Sequence, residues 1–245
     1  MEVTLDSIRD IRLYQAKTGY RFSVDSLLLY DFVNLQKLNS IADIGAGSGI
    51  VGILLAKKYP EADVLLVEIQ ENLANIAEKN IILNGLEDRV KVVKADITKI
   101  GSQGSGSSPF TLNYFDLVVS NPPFRKSTSG RISMEAEKAI ARHEIKLNLS
   151  ELINAVSYLL RIKGRFCMIY HPHRLSDLMM ILKRKELEPK RLRFVHSKKS
   201  SEAKMVLLEA VKKGKTGIKV DNPFFIYKDD GSYTDGMKEI YNADS

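Results

Sequence analysis

The sequence predicts an α/β domain whose mostly parallel sheet is covered by helices on both faces. Strand-like and helix-like segments alternate from Ser40 onward, the connections are short, and a glycine-rich turn joins the first such strand to its helix. In sheets of this class the ligand crevice lies beyond the C-terminal ends of the strands, so functional residues are expected there. A length of 245 residues fits one domain with added segments. Apolar residues at 44% and charged residues at 27% are ordinary for a globular chain and exclude a fibrous or largely disordered one.

Residues 40–46 are a short apolar run ending in glycines, and residues 50–59 follow with helical spacing until Pro60 stops them. Residues 62–69, apolar on both faces, read as a buried parallel strand. Residues 70–83 read as a helix closed by Asn84 and Gly85, and residues 89–96 alternate as a third strand. A fourth strand over 115–120, a helix over 149–162 and a fifth strand over 165–170 come next. A helix over 175–185 and two late strands over 191–195 and 205–211 complete the pattern. Two stretches interrupt it. Residues 101–108 form a Gly/Ser-rich flexible loop, whereas the polar residues 125–130 follow a strand end and suit a mobile substrate loop.

No apolar run approaches the ~18 to 20 residues that span a bilayer. The start carries Glu2 and Asp6 and no basic-then-apolar block, so no signal peptide is expected. The single cysteine, Cys167, excludes an intrachain disulfide, and a reducing, cytoplasmic setting is expected. The net charge is +7, and residues 183–215 alone carry twelve Lys/Arg against four Glu. Such an excess attracts phosphate and suits a nucleic-acid partner, although an alternating-charge solvated surface explains it equally well.

The stretch Asp43-Ile44-Gly45-Ala46-Gly47-Ser48-Gly49 leaves the first strand and enters a helix. Glycines there permit a sharp turn and close approach of a ligand to the backbone. Residues 47–52 also satisfy the dinucleotide fingerprint G-x-G-x-x-G, and Glu68 at the next strand end can accept ribose hydroxyls of NAD or of another adenosine cofactor. Both cofactors remain open at this point. Asp43, two residues before the first glycine, makes the pattern D-x-G-x-G-x-G, which resembles motif I of the S-adenosylmethionine (SAM) methyltransferases. Asp96 ends the third strand, where a lone acid is more commonly a helix cap than a ligand.

Residues 116–124, DLVVSNPPF, are the most informative stretch. Two consecutive prolines hold the backbone extended, so the Asn121 side chain and the Pro122 carbonyl can be neighbouring acceptors. A conjugated amino group is a poor nucleophile because its lone pair is delocalised. Acceptors gripping its two hydrogens favour a pyramidal nitrogen and aim the lone pair, which is catalysis by positioning without a strong base or metal. Phe124 would stack on the substrate ring. A turn with an ordinary Asn cap is the bland alternative. Cys167 sits in an apolar run and reads as a buried structural thiol, which disfavours chemistry that needs a cysteine nucleophile.

Together these residues resemble the amino-group methyltransferases of the N-P-P-Y/F type, and more closely the bacterial adenine-N6 methyltransferases that modify a valine tRNA beside its anticodon. The likeness runs over nearly the whole chain. It takes in residues 22–29, Asp43 to Gly49, Glu68, Asp96, residues 121–124, 141–145, 188–195 and 223–227. It implies a Rossmann-like class I SAM-dependent methyltransferase fold, with a seven-stranded mostly parallel sheet that includes one antiparallel strand. It also implies that residues 1–39 cap the cofactor site and that residues 40–245 form the catalytic domain, with a C-terminal extension over 216–245.

SAM is the implied cofactor, held by Asp43, Gly45, Gly47, Gly49, Glu68, Ile69, Asp96, Ile97 and Asn121. In this reading Asp96 accepts from the adenine amine, while Ile69 and Ile97 flank the ring. Asn121, Pro122 and Phe124 would act on the substrate amine. Arg142, Lys190, Arg191, Arg193, Lys198 and Lys199 are candidates for contact with RNA, tRNA in this reading. His143 and Glu144 could contact RNA or order the loop after Phe124, although a structural role suits His143 better than general base catalysis. His171 and His173 lack a third ligand nearby and make a poor zinc site, so no metal is expected. Phe124 stands where many relatives carry tyrosine and also occurs in relatives that methylate guanine N2. Guanine in ribosomal RNA, a protein glutamine amide and a non-catalytic RNA-binding module are therefore the alternatives to adenine N6.

Overall fold

The computed structural model of the protein describes residues 3–16, 24–100, 110–122 and 149–241. Phe124, Arg142, His143, Glu144 and both interrupting loops lie outside the described residues. The central sheet contains β3 (Ser40–Ile44), β4 (Asp63–Glu68), β5 (Val90–Lys94), β6 (Phe115–Ser120), β7 (Leu160–Tyr170), β8 (Leu187–His196) and β9 (Ala203–Lys212). Their spatial order is β8-β9-β7-β6-β3-β4-β5. β3 to β7 run parallel, whereas β9 is antiparallel to both β7 and β8. This is the expected seven-stranded arrangement with one reversed strand. Two short additions, β10 (Lys219–Val220) and β11 (Phe224–Phe225), pair with the outer edge of β8.

Strand alternation divides the core between the two faces. Ile41, Leu117, Val119, Cys167, Ile169 and Leu207 point to one side, where they pack with α1 (Val24–Phe32) and α2 (Ile50–Lys58). Ala42, Ile44, Val118, Phe166, Met168 and Leu208 point to the other, toward α4 (Leu149–Leu159) and α5 (Leu175–Arg184). Cys167 is fully buried, and burial raises its thiol pKa above the usual range, in keeping with a structural role.

The expected elements are present, with shifted limits. β7 begins at Leu160, inside the stretch read as the end of a helix. Its pairing with β6 slips between Phe115 and Leu117, and Lys163 adopts φ 66° in this irregular part. Gly164 follows, where a Cβ would lie 2.8 Å from the Arg161 carbonyl and 2.9 Å from that of Phe115. The helix α3 (Glu71–Leu83) ends as expected: Gly85 has φ 63° and Leu86 N donates to the Ile81 carbonyl.

The N-terminal segment adds an antiparallel hairpin, β1 (Val3–Ile8) with β2 (Ile11–Ala16). Its outer edge is met by side chains of α3. Asn84 accepts from Arg12 N at 3.1 Å and donates to Arg12 O at 2.8 Å. One turn earlier, Asn80 accepts from Tyr14 N at 2.6 Å and donates to Tyr14 O at 3.0 Å. Four helical residues rise ~6 Å, close to the span of two strand residues, so one helix face can replace a neighbouring strand. Asn80 Nδ2 also donates to Ser48 O at 2.9 Å, which ties the hairpin to the glycine turn. At its other end, Arg9 lies 4.9 Å over the Tyr30 ring and donates to the carbonyl of Ile240 in α6 (Asp235–Tyr241). No helix among the described residues is long and apolar enough to cross a membrane.

Replacing the fully buried Asn80 with alanine leaves the Tyr14 amide and carbonyl without these partners. The expected outcome is a loss of ~1 to 3 kcal/mol in chemical denaturation, with faster proteolysis within residues 3–16, because the hairpin edge and the glycine turn are released together.

Candidate active site

The C-terminal ends of β5, β4, β3 and β6 form one continuous edge. Ile44 is level with Val67 and with Ser120, and Glu68 is level with Lys94. Gly45 N and Ala46 N both donate to Val67 O, while Ser120 Oγ donates to Ile44 O at 2.9 Å. The glycine turn, Glu68, Asp96 and Asn121 therefore share the crevice edge, as expected for these motifs.

The turn depends on glycine for two separate reasons. Gly45, Gly47 and Gly49 have φ of 72°, 58° and 88°, in the left-handed region where a side chain is strained. Gly52, inside α2, has ordinary φ, but an added Cβ would sit 2.1 Å from Leu66 Cδ2 and 3.3 Å from Asp43 Oδ2. The helix can approach the sheet this closely only without a side chain there. Gly45 faces open space, with no atom within 4 Å of where its Cβ would be.

Two buried acids hold the turn. The N-terminal residue of α2 has no side-chain cap on its neighbour Gly49; instead, Asp43 Oδ2 accepts from Gly52 N at 2.9 Å. An acid at the positive end of the helix satisfies an amide that would otherwise be orphaned. It also takes up an amide at the helix start that an anionic ligand group would otherwise use, which weighs against a pyrophosphate there. Glu68 accepts from Gly47 N and Gln70 N, each at 2.8 Å, and bridges the turn to the end of β4. Burial raises the Asp43 pKa to about 7, opposed by the Gly52 amide and reinforced by nearby Glu68. Burial also raises Glu68, against the pull of the Gln70 and Gly47 amides.

The other cofactor candidates differ in accessibility. Ile69 is 49% exposed at the crevice edge, whereas Ile97 is only 8% exposed and belongs to the core cluster with Ile44 and Val67. Ile69 is an open apolar flank; Ile97 is largely consumed by packing. Asp96 is a cap, with Oδ1 accepting from Thr98 N at 3.0 Å and Thr98 Oγ1 at 2.8 Å. Oδ2 takes no such bond among the described residues. In the turn, Ser48 Oγ is buried without a hydrogen-bond partner.

Asn121 follows β6 directly. Its Nδ2 donates 3.1 Å to Ser26 Oγ on α1, which turns Oδ1 away from that contact. Ser26 is 1% exposed and fixes the amide from a segment 95 residues away in sequence. Sequence reasoning did not single out Ser26, although it lies within residues 22–29 that carried the resemblance.

In the basic stretch, most of the RNA candidates have partners within the chain. Arg191 pairs with Glu209 and Asp221, stacks 3.9 Å over the Phe32 ring and donates to Phe32 O. Arg193 pairs with Asp31 and Asp221. Lys190 donates to the carbonyls of Lys215 and Gly217, and Lys198 to that of Asp229. Of the five RNA candidates in this stretch, Lys199 alone is exposed with no such contact among the described residues. The two arginines chiefly join β8 to β9, α1 and residue 221, because their acidic partners lie far away in sequence. No group of three or more His, Cys, Asp or Glu is placed to hold a metal among the described residues.

A family model described as the methyltransferase small domain matches residues 21–177. A relative from Porphyromonas gingivalis, named tRNA1(Val) (adenine(37)-N6)-methyltransferase, is 32% identical over 213 residues, covering 85% of this chain and 81% of its own. A protein of the same name from Pedobacter heparinus is 27% identical, covering 95% of this chain and 94% of its own. Among solved structures, a predicted O-methyltransferase from Agrobacterium tumefaciens has a TM-score of 0.69 at 19% identity, over 88% of this chain and 94% of its own. That likeness is one of fold.

The raised acid in the turn gives a measurable signature. Folded Asp43 holds its proton up to about pH 7, whereas the unfolded carboxyl releases it near the ordinary aspartate value of 3.8. The folded state therefore binds more protons in this window, and its stability falls as pH rises from about 4 to about 7. Denaturation of the protein without ligand should show this fall, and Asp43→Asn, which keeps an acceptor for Gly52 N, should flatten it.

Proposed function

This chain belongs to the methyltransferase small domain family, and from that premise we propose that it methylates the exocyclic N6 amine of adenine in the anticodon loop of a tRNA, with SAM as methyl donor. The observation that carries the reading is the orientation of Asn121. Its Nδ2 donates to Ser26 Oγ, so the amide is oriented with Oδ1 left as an acceptor, and the Pro122 carbonyl is the next acceptor along the chain at the crevice edge.

The residues of the glycine turn fit SAM. Open space at Gly45, an orphaned Ser48 Oγ and an acid in the positive field of α2 suit a ligand with an ammonium and no pyrophosphate. Gly45, Gly47 and Gly49 would line it, Asp43 would act from beneath the turn, and Glu68 has lone pairs left for ribose hydroxyls. Ile69 and Asp96 Oδ2 would meet the adenine ring, with Ile97 supporting from the core. When bound, SAM supplies an electrophilic methyl carbon on sulfonium. The N-terminal hairpin would cover this site through its Asn80 link to Ser48.

Asn121 Oδ1 and Pro122 O accept the two amine hydrogens and draw the nitrogen lone pair out of conjugation with the ring. Phe124, two residues further along the sequence, would stack on the base. After alkylation the nitrogen is a strong acid, and it loses its extra proton without a dedicated base. An anticodon loop lowers the cost of presenting the base, because its nucleotides are already partly unpaired. The protein would act in the cytoplasm, the compartment of its substrate.

Incubation with radiolabelled SAM and unmodified bulk tRNA should label tRNA, and nucleoside analysis should place the label on N6-methyladenosine. Label on guanosine or on a protein band would redirect the assignment to the corresponding amine. Asn121→Ala should lower kcat by ~10² to 10³, as for loss of an oriented polar group at a reacting centre. Ser26→Ala should lower kcat about tenfold, the equivalent of one neutral hydrogen bond. Affinity for S-adenosylhomocysteine should be unchanged, and Ser26→Thr should restore the rate; a purely structural role would not give that split.

A further inference from the structure

A cavity of about 510 Å³ opens on the same edge of the sheet, lined by Asp25, His171, His173, Glu202, Lys204 and Met205 among others. This is within the ~300 to 1,000 Å³ typical of ligand sites. Its place is set by register. Ser120 is level with Met168, so Asn121 and Pro122 reach the height of Ile169 and Tyr170, and His171 is the next residue of the neighbouring chain segment. Tyr170 is level with Val206, which puts Met205 beside His171. From the third side, Asp25 is adjacent to Ser26, the partner of the Asn121 amide.

The sheet order therefore places three regions in a row: the glycine turn after β3, the amine acceptors after β6, and the cavity after β7 and before β9. A base presenting its amine to the turn has its ring, sugar and chain neighbours on the side away from the turn. That side is the cavity. Its chemistry suits a nucleotide better than an aliphatic side chain. The His171 and His173 rings lie 5.2 Å apart at 33°, offering flat faces to a base. His171 Nδ1 lies 3.3 Å from Lys204 O, which joins the two walls. Lys204 and His173 are exposed, and the Lys204 ammonium has no carboxylate within ion-pair distance among the described residues. The arginines that might otherwise have met a phosphate are occupied with Glu209, Asp221 and Asp31.

Resting on the functional reading above, we propose that this cavity is a subsite for the RNA nucleotide that flanks the methylated base. The neighbouring base stacks on the histidine pair, and its phosphate lies against Lys204. Asp25 and Glu202 favour ribose hydroxyls and exclude a phosphate from their own side.

The test is steady-state kinetics of the full chain with unmodified bulk tRNA, together with calorimetric binding of S-adenosylhomocysteine. His173→Ala and Lys204→Ala should each raise KM for tRNA about tenfold and leave the S-adenosylhomocysteine affinity at the wild-type value. Lys204→Ala should also reduce the salt dependence of KM by about one phosphate contact. Lys57→Ala, an exposed change of the same charge on α2, should leave KM unchanged. Unchanged KM in both cavity variants, or an equal rise in Lys57→Ala, overturns the subsite while labelled tRNA keeps the functional reading intact. A weakened S-adenosylhomocysteine affinity in the cavity variants assigns the cavity to the cofactor and likewise overturns it. Wild-type protein that labels no tRNA removes the functional reading and the subsite with it.

Discussion

The crevice is shaped by how closely α2 approaches the sheet. Gly52 leaves no room for a Cβ against Leu66, and Asp43 reaches from β3 to accept the Gly52 amide. With the helix held so near, the chain between Ile44 and Ile50 must turn within a few residues, and three left-handed glycines make that turn. Glu68 then secures Gly47 from the adjacent strand. Both acids are taken out of water to do this, and burial resists their ionisation. The turn thus stores an electrostatic demand, which a cationic ligand group relieves and an anionic one aggravates. The helix terminus favours a different cofactor class here than in a dinucleotide site, because the Gly52 amide is already taken by the Asp43 carboxyl.

The second half of the site is assembled from segments far apart in the chain. β6 delivers Asn121, its neighbour Ser120 is pinned to Ile44 O, and α1 supplies the hydroxyl that sets the amide. Orientation matters more than proximity: an Asn side chain presents an acceptor on one side and two donors on the other, and only the acceptor can grip an amine hydrogen. A hydroxyl held on a buried helix resolves that ambiguity. The same N-terminal segment that provides Ser26 begins with the hairpin tied to Ser48 through Asn80, so the turn and the acceptor are both braced by residues outside the central sheet.

Much of this was legible in the sequence because its causes are local. β3, β4 and β6 are mostly apolar, as covered parallel strands tend to be, and the Asn84-Gly85 cap and glycine turn follow from backbone sterics within a few residues. The hairpin was missed because its edge is satisfied by Asn80 and Asn84, whose partners lie 66 and 72 residues away. Ser26 was missed for the same reason. The start of β7 was misread because Leu160 is a strand residue separated from the regular ladder by an irregular stretch at Lys163 and Gly164, and a helix ending there has the same apolar spacing. The charge count of residues 183–215 does not show the pairing within it, because composition does not record where Asp31 and Asp221 fold back.

That last point changes how an RNA partner would meet this surface. Arg191 is 21% and Arg193 27% exposed, and each faces acids, so together they contribute little unbalanced charge. Lys183 and Lys213 pair with Glu188 and Glu186, while buried Lys212 donates to Asn113 and main-chain carbonyls. Arg184 and Lys185 lie where α5 leads into the start of β8, at the edge opposite the crevice. Lys198, Lys199 and Lys204 lie instead between the end of β8 and the start of β9, at the crevice edge. Lys198, Lys199 and Lys204 thus place positive charge beside the strand ends that hold the amine acceptors. An RNA backbone drawn to that edge would be held close to where a single nucleotide must be presented.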